Sequence, residues 1–216
     1  MRRLVWLAGL VLQGPAGCTS SSLERVRDYN DDGLYLYAQG AYAQAAESFE
    51  AALALQPNDV ALLYNAGQSR DRAGHHDRAE RLYAVCLEKA PNHGSCRHAL
   101  AVLQVREGRQ DEAVKMVEDW LAREPNLAAP YAVDGWLWHQ VGDLPRAQAR
   151  LQQALQIDPH DMHALIELAL VYEALHRPER ALVLYERALS QNPHLPQVAE
   201  RLDRLKAQGV KRPRPD

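Results

Sequence analysis

Cys86 and Cys96 are the residues whose type and spacing best suit covalent chemistry. Each lies five residues from Pro91, one before the proline and one after it. Two antiparallel helices that turn at this proline would set the two thiols opposite each other. We therefore expect a disulfide between Cys86 and Cys96. Two buried thiols are the main alternative, and a redox or metal role is a further one.

The histidines close to Cys96 raise the question of a zinc site. His93 and His98 flank this cysteine, and His75 and His76 lie further back in the chain. A structural zinc site usually has four tetrahedral ligands at recognisable spacings. This set has no second matched pair of ligands, so we expect surface or groove histidines and no metal site.

The sequence offers no other pattern typical of catalysis. No Ser-His-Asp arrangement, phosphate-binding glycine loop or pair of carboxylates stands in a supporting context. The formal net charge is −3 and the sequence pI is about 6.3. A chain without a basic field has no general attraction for nucleic acid. We expect a protein that is not an enzyme, needs no cofactor and binds no nucleic acid.

The elements that must position these residues repeat every 34 residues. A proline keeps this step at Pro57, Pro91, Pro125, Pro159 and Pro193. A glycine keeps it at Gly40, Gly74, Gly108 and Gly142, and His176 takes its place in the fifth unit. A period of this length indicates supersecondary units that bury their apolar faces only against their neighbours.

Each unit predicts two amphipathic helices. In the second unit the first helix should end near Gly74, since glycine tolerates the positive φ found just past a helix end. Asp77 is placed to cap the second helix. Pro91 should end that helix, because proline cannot continue the hydrogen-bond ladder.

This pattern resembles the tetratricopeptide repeat (TPR). The small residues expected where the two helices cross are Gly33, Gly67, Ala101, Gly135 and Ala169. The small residues of the second helix are Ala45, Ala79, Ala113, Ala147 and Ala181, and the large residues four further on are Phe49, Tyr83, Val117, Leu151 and Tyr185. Trp120 and Cys86 depart from the pattern, because they occupy positions that are usually small.

The resemblance implies an all-α, right-handed α-solenoid of five helix-turn-helix repeats. The predicted repeats are 26–59, 60–93, 94–127, 128–161 and 162–195. Residues 196–208 follow as a capping helix with one apolar and one charged side, as the end of a solenoid needs. The tail over residues 209–216 is predicted to be disordered.

A concave surface that binds an extended or helical peptide is also implied by the resemblance. By helical spacing, the side chains expected in this groove are Tyr37, Tyr64, Asn65, Gln68, His98, Val102, Arg106, Trp136, His139, Ile166 and Glu173. Packing of Tyr37 and Trp136 between repeats is the alternative. The carboxylate clamp of chaperone-binding members needs basic residues where Ser95 and Ala99 stand, so a neutral or partly apolar peptide fits better.

The N-terminus has a different composition. Arg2 and Arg3 precede an apolar run, Leu4 to Leu12, that is too short to span a bilayer. This layout predicts a signal peptide over residues 1–17. The junction Ala-Gly-Cys resembles the lipobox of bacterial lipoproteins, although Pro15 stands where leucine is usual. Cleavage without a lipid and an uncleaved anchor are the alternatives.

The lipobox resemblance implies that Cys18 is lipidated and that residues 18–25 form a flexible tether. It also implies the bacterial cell envelope, at the periplasmic face of the outer membrane, or secretion to the periplasm. The expected function is a non-catalytic scaffold or adaptor that binds a peptide segment of an envelope partner. Assembly of a pilus, a secretion channel or an outer-membrane complex is a narrower expectation by analogy. A structural or self-associating repeat protein and a cytosolic adaptor are the alternatives.

The expected disulfide gives a direct prediction. Iodoacetamide added to the unfolded, unreduced protein should leave Cys86 and Cys96 unmodified, and it should modify both after reduction. Mass spectrometry of the peptides measures this. Reduction should also lower the free energy of unfolding by about 2–3 kcal/mol, because closing a short loop restricts the unfolded chain. Full modification of both thiols before reduction would contradict the bridge.

Overall fold

The computed structural model describes residues 18–213, with side chains from residue 22 onward. In that part of the chain every regular element is an α-helix. The helices are α1 (Cys18–Ala38), α2 (Tyr42–Leu55), α3 (Val60–Arg72), α4 (His76–Lys89), α5 (Gly94–Arg106), α6 (Gln110–Arg123), α7 (Ala128–Gln140), α8 (Leu144–Ile157), α9 (Met162–Ala174), α10 (Pro178–Gln191) and α11 (Pro196–Ala207). The predicted all-α fold of helix-turn-helix repeats is confirmed.

The predicted signal peptide over residues 1–17 lies outside the described residues, as do residues 214–216 of the predicted tail. Among the residues that the structure describes, no helix has both the length and the apolar character that crossing a membrane requires. The helix α11 falls inside the range 196–208 that the sequence gives to a capping helix, and its Val198, Leu202 and Leu205 are buried.

The chain divides at Ala90 and Pro91 into two compact units. The first unit contains α1 to α4, and its core cluster is built around Phe49, Leu62 and Ala66. The second unit contains α5 to α11. It has one cluster around Trp120 and Trp136 and another around Leu165 and Tyr185. Each unit therefore buries apolar side chains of its own.

The turns between paired helices need a residue in the left-handed region. Gly74 has a φ of +82°. Its N–H donates to the carbonyl of Asp71 (3.0 Å), and the next N–H, of His75, donates to Arg70 (2.8 Å), so the last carbonyls of α3 are satisfied. In the fifth turn His176 adopts a φ of 55°, a conformation that a side chain bearing a Cβ adopts at some cost.

Within a repeat, the two helices approach so closely that one of them can carry only a small residue at the crossing. A Cβ built on Gly67 would lie 2.5 Å from Cε1 of Tyr83, and one on Gly33 would lie 2.6 Å from Cε1 of Phe49. At Gly135 the nearest atom would be Cγ of Leu151, at 2.5 Å. The paired small and large residues of the repeat pattern are thus in direct contact.

The structure differs from the predicted flexible tether at residues 18–25, because α1 begins at Cys18. No proline or glycine interrupts residues 18–32, so the first helix extends toward the N-terminus past the predicted start of the first repeat at residue 26. The polar run Thr19 to Ser22 has a composition typical of a linker, yet serine is only moderately unfavourable in a helix.

The predicted capping role of Asp77 is wrong. The N-cap of α4 is His75, whose side chain makes no capping hydrogen bond, and Asp77 lies inside the first turn. A carboxylate there still interacts favourably with the positive end of the helix dipole. The helix begins earlier than expected because the turn after Gly74 is only one residue long.

Replacing Gly67 by alanine should destabilise the first unit. Overpacking of a filled core typically costs about 1–3 kcal/mol, and the new Cβ would meet the Tyr83 ring. Chemical denaturation measures the free energy of unfolding. Gly74→Ala is the matched control, since its φ is strained but no atom lies within 4 Å of the new Cβ. A Gly67→Ala variant as stable as the native chain would contradict the close approach.

Candidate peptide-binding faces of the two units

In the first unit, three polar or aromatic side chains form a stripe along α3. Tyr64, Gln68 and Arg72 are spaced four residues apart, so they lie on one side of the helix. The Nε2 of Gln68 donates to the hydroxyl of Tyr64 at 2.6 Å. We call these three residues the α3 stripe. The predicted groove residues Tyr64 and Gln68 are both half-buried, while Arg72 is exposed.

Tyrosines from the preceding helix pair meet the C-terminal end of the α3 stripe. The rings of Tyr37 and Tyr42 lie edge to face, with centroids 5.1 Å apart. The Arg72 guanidinium lies 5.3 Å from the centroid of the Tyr42 ring. Burial raises the pKa of Tyr37, and the charge of Arg72 opposes this rise. Aromatic rings and an arginine with partial exposure are the side-chain types that most often anchor a partner.

Asn65 is the fourth groove residue predicted in the first unit. It is half-buried and follows Tyr64 on α3, and its backbone carbonyl accepts from the hydroxyl of Ser69 at 2.8 Å. The structure thus brings Tyr37, Tyr64 and Gln68 to neighbouring positions around α3. Their binding role stays a prediction.

In the second unit, four side chains from three first helices come together. His98 of α5 lies edge to face with Trp136 of α7, with ring centroids 5.1 Å apart, and 4.9 Å from the ring of His163 of α9. The hydroxyl of Ser95 is 3.3 Å from Nε2 of His163. We call Ser95, His98, Trp136 and His163 the histidine cluster. It brings the predicted residues His98 and Trp136 into contact.

Trp136 exposes only 7% of its surface. It belongs to the core cluster that also contains Val117, Trp120 and Leu137. Its packing therefore follows the alternative that the sequence left open, and its role in binding stays a prediction. Val102 is half-buried against the same core, and Arg106 is exposed at the last turn of α5.

The other predicted residues of the second unit lie further along α7 and α9. Nδ1 of His139 is 3.4 Å from a carboxylate oxygen of Glu167, and Ile166 is half-buried. Glu173 accepts a hydrogen bond from the Tyr185 hydroxyl and lies 3.4 Å from the Arg201 guanidinium. The Glu173 carboxylate therefore contacts side chains of α10 and α11.

The start of α5 is held in place by Trp120. Its indole N–H donates to Oδ1 of Asn92 at 3.2 Å. The Arg97 guanidinium lies 4.7 Å from the ring centroid and donates to the carbonyl of Pro91 at 2.7 and 3.0 Å. A tryptophan at a usually small position thus anchors the turn that leads into His98.

Cys86 and Cys96 are both fully buried, Cys86 in α4 and Cys96 in α5. The disulfide predicted between them stays a prediction. Cys18, the predicted lipidation site, is the first residue of α1, and its side chain lies outside the described part.

Four residues of these surfaces were not among the groove residues predicted from the sequence: Tyr42, Arg72, Ser95 and His163. The repeat contained a signal for one of them. Arg72 precedes the predicted groove residue Arg106 by one repeat length, 34 residues. Residues at one repeat position share a surface, so position-by-position alignment would have found Arg72. Ser95 and His163 also share a repeat position, being 68 residues apart, but neither was predicted as a groove residue.

The family comparison agrees with this architecture. One family model described as tetratricopeptide repeat matches residues 72–133 and 139–209, and another matches residues 30–94. The chain belongs to the tetratricopeptide repeat family. Proteins of this family generally mediate protein–protein interactions, and the fold is generally a non-catalytic scaffold. No curated protein matches the chain significantly.

Solved structures show the same fold. The thermophilic TPR protein TTC0263 from Thermus thermophilus is similar with a TM-score of 0.64 and 24% identity, over 84% of this chain and 99% of that one. The human IFIT1 dimer, solved with PPP-AAAA, has a TM-score of 0.57 and 19% identity, and the match covers 85% of this chain and 46% of that one. Both similarities show the fold alone.

Proposed function

We propose that this protein is a non-catalytic scaffold that binds a peptide segment of another protein through the first helices of its repeats. The observation that carries the proposal is the α3 stripe with the neighbouring Tyr37 and Tyr42. These aromatic and arginine side chains are partly accessible to solvent. Partly exposed aromatic and arginine residues on a rigid helical surface are suited to hold a partner.

The partner that fits this surface is a neutral or partly apolar peptide. Tyrosine rings supply apolar area, and the Gln68 amide and the tyrosine hydroxyls supply hydrogen-bonding groups for a peptide backbone. Recognition of an acidic peptide terminus by a carboxylate clamp would need basic residues at Ser95 and Ala99. Ser95 instead lies against His163 in the second unit.

We also propose that the protein works in a bacterial envelope, held by a lipid on Cys18. The support is the sequence before Cys18, with its two arginines, short apolar run and Ala-Gly-Cys junction. A lipidated cysteine with several acyl chains would anchor the protein stably. The partner would then be another envelope protein, and a role in assembling a pilus, secretion or outer-membrane complex follows by analogy.

Self-association is a second candidate function, favoured by α1. Leu23, Leu34 and Tyr35 of this helix are 58%, 48% and 65% exposed. Leu34 and Tyr35 are neighbours in the sequence, and Leu23 lies eleven residues before Leu34 on the same helix. Large apolar side chains exposed along one helix could form a contact surface with a second copy. A mass that rises with protein concentration in analytical ultracentrifugation, and that returns to the monomer in Tyr35→Ala, would support this candidate.

Crosslinking in envelope fractions tests peptide binding. We expect the native chain to capture one or two proteins that the double variant Tyr64→Ala, Arg72→Ala loses. Removing an anchoring residue typically costs about 2 kcal/mol or more of binding free energy, which is about a thirtyfold weaker Kd. Titration of a peptide from the captured protein then measures the Kd of each variant.

The matched control is Tyr35→Ala, Arg81→Ala, which removes an exposed tyrosine and an exposed arginine of the same unit but leaves the α3 stripe intact. It should capture the same proteins as the native chain. Equal capture by all three chains would contradict binding through the α3 stripe. Loss in the control alone would move the contact to the exposed surface of α1.

The lipid anchor is tested by growing cells with radiolabelled palmitate. We expect label on the native chain and none on Cys18→Ser, because the lipid that contains the labelled acyl chains would be attached through the thiol of Cys18. The variant Cys86→Ser should keep the label. A native protein without label and with residues 1–17 still attached would contradict the anchor and favour a cytosolic adaptor.

A further inference from the structure

The histidine cluster holds together two helices that are two repeats apart. Ser95 and His98 belong to α5, and His163 belongs to α9, with Trp136 of α7 beside them. Helices α5 and α9 are the first helices of the third and fifth repeats. Contact between the two places their side chains across the binding surface that the proposed function assigns to first helices.

His98 is half-buried, and one of its ring nitrogens, Nε2, is buried without a hydrogen-bond partner among the described residues. A buried polar atom without a partner has lost its water and gained nothing in exchange. The arrangement seen in the structure thus tolerates a neutral imidazole. In the described part of the chain it supplies no hydrogen-bond acceptor that would stabilise a proton added at Nε2.

The groups around the cluster give a proton on His98 no counter-charge. The nearest titratable neighbour is His163, whose own charge would repel it. Glu167 follows His163 by one helical turn and lies 3.4 Å from Nδ1 of His139. Other charged groups of the packed helices have bonds of their own. Arg97 donates to the Pro91 carbonyl, Glu112 pairs with Arg109, Asp134 pairs with Arg150, and Glu173 is bound by Tyr185 and Arg201.

We propose that Ser95, His98 and His163 form a proton-sensitive clasp that holds α5 against α9 at neutral pH and opens more often as the solution becomes acidic. The inference rests on the proposed function, since the clasp covers a surface that would bind peptide. Release uncovers Trp136, an aromatic side chain suited to anchor a peptide. Binding by the second unit would then be strengthened by acid.

The direction of this pH dependence follows from proton linkage. Burial, together with the charge of His163, lowers the pKa of His98 from 6.5 to about 3 in the closed arrangement. In an open arrangement the ring meets water and regains its ordinary pKa. The open state therefore binds more protons below pH 6.5, and acid favours it. Between pH 7.5 and pH 5.5 the ratio of open to closed molecules should rise about tenfold.

Hydrogen exchange followed by mass spectrometry tests the clasp on the full chain without any ligand. Labelling times at pH 7.5 and pH 5.5 are scaled to the intrinsic exchange rate. Peptides from α5 and α9 of the native protein should lose about tenfold in protection at pH 5.5. Peptides from α2 and α3 of the first unit should keep theirs.

The variant His98→Gln should exchange equally at the two pH values, because its side chain cannot take up a proton. The control His194→Gln, an exposed histidine of the loop before α11, should keep the native pH response. Far-UV circular dichroism at pH 7.5 verifies that both variants fold. A native protein without the pH response, a response that persists in His98→Gln, or loss of protection throughout both units would each overturn the clasp.

The measurement separates this inference from the proposed function. Acid-induced opening of α5 and α9 is seen without a peptide, so it can be present even if no peptide binds. A captured peptide that binds the α3 stripe equally at both pH values, in a protein whose α5 does not open, would support the proposed function and overturn the clasp.

Discussion

The close approach of the two helices within a repeat is the contact on which the rest of the structure depends. Where Gly67 faces Tyr83 and Gly33 faces Phe49, a single added carbon would fall within 2.6 Å of a ring atom. This distance fixes how deeply one helix sits on the other. It thereby determines which side of each first helix is left uncovered, and so the α3 stripe and the histidine cluster both depend on it.

Much of the fold could be predicted because the information is local and is repeated five times. Each of the recurring prolines lies two residues past the end of a second helix, as Pro57 follows α2 (Tyr42–Leu55). The glycines of the turns have the positive φ that their position predicts. The start of α1 was not predictable in this way, since nothing in the sequence before Gly33 marks where that helix begins.

The candidate sites were less predictable, because they depend on distances between repeats. Helical spacing placed His98 on a first helix, but the contact between Ser95 and His163 requires α9 to reach α5 past α7. How deeply a side chain of the histidine cluster is buried also depends on neighbouring repeats, which helical spacing within one repeat does not describe. Trp136 has the spacing of a groove residue and the burial of a core residue, and the sequence alone gave both interpretations equal support.

The division of the chain into two units also affects how its folding can be observed. Among the described residues, all the tryptophans (Trp120, Trp136 and Trp138) lie in the second unit, while the first unit has only tyrosines as its chromophores besides Phe49. The fourth tryptophan, Trp6, lies in the predicted signal peptide. In a chain from which residues 1–17 have been removed, indole emission therefore reports on the second unit, and far-UV circular dichroism reports on the helices of both. A single transition seen by both signals would show that the two units unfold together in one cooperative step. Two transitions would show that they unfold independently.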